Sequence, residues 1–154
     1  DTIWFPERAL AELPDVDLSF LLFPVEHPEF FDSVLLDGHL VREIAVKQAD
    51  PPSHWIWGAF RMSGRGYRDL NALWKARARR DEYFGTLVNS YLAAGGQAAG
   101  VKAGESYVDV GTLDGYRAAM TLLQGARKSS PSRFLPAGSK WLRMPATAAD
   151  GVGR

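Results

Sequence analysis

Hydrophobic positions follow two rhythms along this chain, one near two residues and one near three and a half. Leu18-Ser-Phe-Leu-Leu-Phe-Pro-Val25 is a nearly continuous apolar run, as expected of a strand buried on both faces of a parallel sheet. Asp37-Gly38 is a hairpin signal between Val34-Leu-Leu and Leu40 onward. From Leu40 to Lys47 the chain alternates, with Arg42, Ile44 and Val46 on one side and Val41, Glu43, Ala45 and Lys47 on the other. His54 to Met62 supplies an aromatic-rich strand with Gly58 in its middle. The helical rhythm begins with Tyr67 to Arg80, where Leu70, Leu73 and Trp74 face inward. Asp81 and Glu82 open a second helix that buries Phe84, Leu87, Val88, Tyr91 and Leu92 and stops at Gly95-Gly96. Gln97 to Lys102 and Tyr107 to Val110 are short strands; Gly111 then turns the chain, and Thr112 caps a helix carrying Tyr116, Ala119, Met120 and Leu123. Near the amino terminus, Pro6 suits the first turn of a short helix with Leu10 and Leu13 inward. Strands mixed with helices predict an α/β fold, a mostly parallel central sheet flanked by helices.

Composition narrows the function. With 154 residues and 46% hydrophobic content, one domain with an ordinary core is expected. Eighteen basic residues balance eighteen acidic ones, so no whole-molecule field favours nucleic acid or an anionic membrane. Lys75, Arg77, Arg79 and Arg80 read as a solvated face at a helix carboxyl end rather than a nucleic-acid patch. Cysteine is absent, which removes disulfides and thiolate chemistry and fits a cytoplasmic location. His27, His39 and His54 show no paired metal-ligand spacing, and no apolar run is long enough to span a membrane. Beyond Gly125 the chain turns to Ser, Pro, Gly and Ala, so residues 126–154 read as a loosely docked tail with Phe134, Leu135 and Trp141 as anchors.

Each chemical candidate has two readings. Asp109, at the end of a strand and beside a helix amino terminus, either holds a hard cation such as magnesium or orders the turn through its own backbone. Lys47 is either a solvated strand tip or a point charge for a phosphate. Gly58 marks either a close approach by a ligand or backbone, or a bulge. Glu82 suits the positive end of a helix dipole. Asp15-Val-Asp17 matches a metal-holding Asp-x-Asp pattern, or a polar turn before a strand. Ser63-Gly-Arg-Gly66 reads as a loop, not a dinucleotide fingerprint, since Asp69 stands where a third glycine is needed.

Five segments together, Asp1-Thr-Ile-Trp, Arg42-Glu-Ile-Ala-Val-Lys47, Trp57-Gly-Ala-Phe60, Asp81-Glu-Tyr-Phe-Gly-Thr-Leu-Val-Asn89 and Tyr107-Val-Asp-Val-Gly-Thr112, resemble the carboxyl-terminal half of the sugar-phosphate nucleotidyltransferases. The resemblance covers most of residues 1–125 and implies a Rossmann-like nucleotidyltransferase fold whose amino-terminal half is missing. It implies transfer of a nucleotidyl group from a nucleoside triphosphate to a sugar 1-phosphate with release of pyrophosphate. Residues 1–125 would be the sugar-phosphate-binding and metal-completing half of the domain. Asp1 and Asp109 would hold the catalytic magnesium, Lys47 would contact the sugar phosphate, Gly58 would lie against the sugar, and Glu82 would accept hydrogen bonds from sugar hydroxyls. The family often carries Glu before that lysine, where Val46 stands here.

Nothing in the sequence matches the family's glycine-rich triphosphate loop or its base pocket. The expected partners are therefore the two substrates and either the missing amino-terminal half or a second protein chain, which would cover an unpaired, apolar sheet edge. The alternative is a non-catalytic sugar-phosphate-binding or regulatory remnant of the same fold.

Overall fold

The computed structural model describes the backbone of residues 2–129 and the side chains of residues 2–125. Its elements, in order, are β1 (Thr2–Phe5), β2 (Leu18–Pro24), β3 (Ser33–Asp37), β4 (Leu40–Ala45), β5 (Trp55–Met62), α1 (Gly64–Ala76), α2 (Phe84–Ala93), β6 (Ala99–Val101), β7 (Ser106–Asp109) and α3 (Leu113–Ser129). Short 3-10 turns occupy Ala9–Glu12 and Pro28–Phe30. The chain divides into two compact units, Asp1–Ala119 and Met120–Arg154, and among the described residues every strand lies in the first. The tail anchors expected at Phe134, Leu135 and Trp141 lie outside the described residues.

β2 organises the first unit. Leu18 to Phe23 are all buried, because each face of the strand is covered by different elements. Leu18, Phe20 and Leu22 pack with Val34, Val41 and Ile44 of the sheet and with Leu70 of α1 and Leu87 and Val88 of α2. Leu21 and Phe23 pack instead with Ala9, Leu13, Ile56, Trp4 and Tyr107. Each such fully buried Leu or Phe contributes about 1.5–3 kcal/mol.

The sheet is not the mostly parallel one expected from sequence. Five strands close into a barrel in the order β2-β5-β3-β4-β6. The β2–β5, β3–β5, β3–β4 and β4–β6 pairs are antiparallel, and β2–β6 is parallel. Burial on both faces produces a continuous apolar run whichever way the neighbours point, so β2 carried no directional information. Closure also leaves no open edge of the kind expected on this five-stranded sheet; β1 and β7 form a separate antiparallel ribbon.

Two bulges reset the alternation. Leu35 pairs with Glu43 but Leu36 with Val41, so Arg42 is an extra residue in β4, and both Arg42 and Glu43 face solvent. Leu21 pairs with Ala59 but Leu22 with Trp57, which leaves Gly58 as the extra residue of β5. At α1, Ser63 Oγ accepts the Gly66 N–H at 3.0 Å, so the segment expected as a loop is the capped first turn of the helix. Three inward assignments fail: Leu10 is 44% exposed, Tyr116 57% and Met120 42%, while Ala9 is buried beside Leu10 and Ala119 is buried as expected.

Candidate functional site

β4 ends at Ala45, and the chain leaves it through Val46 and Lys47. Lys47 sits in the left-handed region at φ 49°, a strained conformation for a side chain of its kind. Asp32, just before β3, secures that turn by accepting the Lys47 N–H on Oδ1 at 3.2 Å. Lys47 is exposed, and its ammonium has no ion-pair or hydrogen-bond partner among the described residues. Val46 points the other way, toward the core: a Cβ placed on Gly85 of α2 would stand 2.6 Å from Val46 Cγ2 and 2.8 Å from Ile44 Cγ2. The missing side chain of Gly85 therefore brings the start of α2 close to the end of β4.

α2 begins at Phe84, with Tyr83 at its N-cap, so Asp81 and Glu82 stand just before the helix rather than in its first turn. Asp81 is fixed by Arg77, whose Nε lies 3.0 Å from Oδ2 and whose Nη2 lies 3.0 Å from Oδ1. Those hydrogen bonds hold the Asp81 carboxyl below its ordinary value. Glu82 and Tyr83 follow on the exposed side. The Tyr83 phenol is pushed up by the Glu82 charge beside it, then by a hydrogen bond to Glu82, by burial, and by the Asp32 charge. The segments carrying Glu82 and Tyr83, Asp32, and Lys47 thus meet where the start of α2 packs on the end of β4.

Asp109 closes β7 and is exposed, with Oδ1 accepting the Gly111 N–H at 2.8 Å, while Thr112 Oγ1 accepts the Gly115 N–H at 3.0 Å at the start of α3. The turn-ordering role of Asp109 is therefore real. Tyr107, two residues earlier, has its phenol pushed up by burial and then by the Asp109 charge. Its ring packs on Phe23 at 5.4 Å and on Phe31 at 5.7 Å. A Cβ on Gly58 would lie 2.5 Å from Tyr107 Cε2 and 2.8 Å from Phe23 Cε2. The side of Gly58 that lacks a side chain is filled by these two rings. Phe31 directly precedes Asp32, so Tyr107 links the Asp109 strand to the turn of Lys47.

The segments that carry Lys47 and Glu82 meet where Gly85 packs on Val46, the strand of Asp109 reaches Phe31 through the Tyr107 ring, and Asp1 lies outside the described residues. Sequence reasoning missed Asp32, Tyr83, Gly85 and Asn89, whose amide bonds the Ile44 backbone; Tyr83, Gly85 and Asn89 fall inside a quoted segment, but their contacts are tertiary. Asp15 and Asp17 are committed elsewhere: Asp15 pairs with Arg61 at 2.7 Å, while Asp17 accepts Ser63 Oγ–H at 2.6 Å and faces Arg65 at 3.6 Å. They line an open cavity of about 940 Å³ with His39, Asp69 and Tyr91, at the end of β2 away from Lys47. Among the described residues, no group of three or more His, Asp or Glu gathers to hold a metal ion, and no helix is long and apolar enough to cross a membrane. Magnesium is commonly held by only one or two carboxylates together with substrate phosphates, a demand that a single exposed strand-end carboxylate such as Asp109 fits.

No protein-family model matches the sequence, and no curated protein matches it. The fold is shared with solved structures. One is described as a glucose-1-phosphate thymidylyltransferase from Bacillus anthracis in complex with a sucrose: TM-score 0.62, 21% identity, 79% of this chain and 51% of that one. Another is the inositol-1-phosphate CTP transferase from T. maritima, with TM-score 0.58, 12% identity, and coverage of 84% of this chain and 54% of that one. This chain spans about half the length of the structures it matches. At these identities the likeness establishes a common fold, that of sugar-phosphate nucleotidyltransferases.

Proposed function

We propose that this chain supplies the sugar-phosphate side of a site that transfers a nucleotidyl group from a nucleoside triphosphate to a sugar 1-phosphate, releasing pyrophosphate. The observation that carries the reading is Lys47: an unpaired ammonium on a left-handed turn held by Asp32, next to Val46, against which Gly85 in the first turn of α2 is packed, three residues beyond Glu82. The solved structures named above are described as a glucose-1-phosphate thymidylyltransferase and an inositol-1-phosphate CTP transferase, which supports it.

Nucleotidyl transfer asks little covalent help of a protein, so positioning and charge neutralisation do the chemistry. The sugar phosphate is itself the nucleophile. Lys47 neutralises part of its charge, and Glu82, acceptor-only when ionised, takes hydrogen bonds from sugar hydroxyls. Gly58 serves by letting Tyr107 lie against β5, which fixes the strand that ends in Asp109. Asp109 would hold magnesium, with Asp1 as the second carboxylate; bound there, the ion would neutralise phosphate charge as a Lewis acid. The triphosphate is assigned to residues outside this sequence or to a second chain.

A ligand that binds only the folded state raises the melting midpoint. With magnesium present, glucose 1-phosphate or inositol 1-phosphate is expected to raise the midpoint of the full chain, and the corresponding free polyol is not. No shift with any sugar 1-phosphate at millimolar concentration would reject the reading.

A further inference from the structure

The turn of Lys47 is held by a carboxylate that does only half of what it can. Asp32 gives Oδ1 to the Lys47 N–H, and among the described residues Oδ2 accepts no hydrogen bond. Asp32 is half-buried, and this oxygen is free to accept a hydrogen bond from a ligand. Tyr83, 39% exposed, is held at the head of α2, where its carbonyl accepts the Thr86 hydroxyl at 2.7 Å and the Thr86 N–H at 3.2 Å. Asp32 is tied to Lys47, whose neighbour Val46 packs against Gly85, two residues beyond Tyr83. Neither Asp32 nor Glu82 forms an ion pair with Lys47.

An ionised carboxylate accepts hydrogen bonds and a phenol donates and accepts one, whereas a sugar ring presents several hydroxyls that need acceptors. Hydrogen bonds to a charged acceptor are the stronger kind, and a site built to bond a hydroxyl rejects a ligand without it. Building on the reading above, we propose that Asp32 and Tyr83 are specificity-determining residues of the same site, accepting hydroxyls of the sugar while Lys47 holds its phosphate. Inorganic phosphate, which presents no ring hydroxyls, should be indifferent to both.

Calorimetric titration of the full chain with glucose 1-phosphate and with inorganic phosphate tests this. An asparagine in place of Asp32 would keep a carbonyl oxygen for the Lys47 N–H, so Asp32→Asn should preserve the turn and the melting midpoint. It is expected to weaken glucose 1-phosphate binding about tenfold, as for loss of a charged acceptor, and to leave phosphate binding unchanged. Tyr83→Phe should weaken the sugar phosphate less, again without effect on phosphate. Unchanged affinity for glucose 1-phosphate in both variants would overturn the proposal. Equal losses for both ligands would also overturn it, since Asp32 would then act only by shaping the turn. Wild-type protein that binds neither ligand would overturn the functional reading together with this one.

Discussion

Asn89 of α2 treats Ile44 of β4 as a neighbouring strand would: its Nδ2 donates to the Ile44 carbonyl and its Oδ1 accepts the Ile44 N–H, each at 2.8 Å. β6 pairs with β4 only at Leu40, so the side-chain amide continues the ladder where the strand partner stops. Ile44 is 1% exposed, and neither backbone group has water to fall back on. Asn89→Ala is expected to cost about 2–4 kcal/mol, because it leaves a buried donor and a buried acceptor without partners. Chemical denaturation measures this; a loss below about 0.5 kcal/mol, the range of an ordinary surface change, would show that α2 does not hold the end of β4.

Gly85 sets how close that helix lies. A Cβ there meets methyl groups of Val46 and Ile44, both on β-branched side chains with little room to rotate away. Gly85→Ala is expected to destabilise by about 1–3 kcal/mol through overpacking. It should also weaken sugar 1-phosphate binding, since Val46 adjoins Lys47. A variant that loses stability but binds normally would separate the docking of α2 from the site.

Much of this was legible in sequence, and what was not has specific causes. The hairpin at Asp37-Gly38, the aromatic strand and the inward faces of α1 and α2 followed from periodicity and turn residues, with Gly38 adopting φ 59° as the turn demands. Strand direction did not, because the doubly buried β2 has the same pattern in either kind of sheet. The alternation from Leu40 to Lys47 failed at Arg42, where a bulge that no residue type announces moves every later side chain to the other face. Of the proposed site, the segments carrying Lys47, Glu82 and Asp109 were suggested by resemblance. Asp32 was not, since it reads as one more polar residue in a turn until the fold sets it against Lys47, 15 residues on.

Asp109 carries two roles that one substitution separates. An asparagine there would retain an oxygen for the Gly111 N–H, so Asp109→Asn should leave the stability within about 0.5 kcal/mol of wild type. It should remove any extra stabilisation that magnesium gives in the presence of a sugar 1-phosphate, because the charged oxygen ligand is gone. Magnesium-dependent stabilisation that survives unchanged would assign Asp109 to the turn alone.

Asp81 makes stability depend on acid. Its hydrogen bonds to Arg77 lower its folded pKa from the ordinary 3.8, so the unfolded chain binds the proton more readily. The contribution is present in full above that ordinary value and disappears as pH falls through the lower folded one. Melting midpoints of wild type and Asp81→Asn should therefore differ most near neutrality and converge as pH falls below the ordinary carboxyl value of 3.8. A gap independent of pH would mean that Asp81 acts by packing rather than by charge.

The most direct test is the affinity of the full chain for glucose 1-phosphate with and without the Lys47 ammonium, by calorimetric titration of wild type and Lys47→Ala at low salt. The turn is held by the backbone N–H of residue 47, which alanine keeps, so the variant should remain folded. Binding of the wild type and a loss of about tenfold or more in the variant, as for removal of a charged hydrogen-bonding partner, is the result expected. Equal affinity in the two proteins would contradict the assignment of this junction to a sugar phosphate.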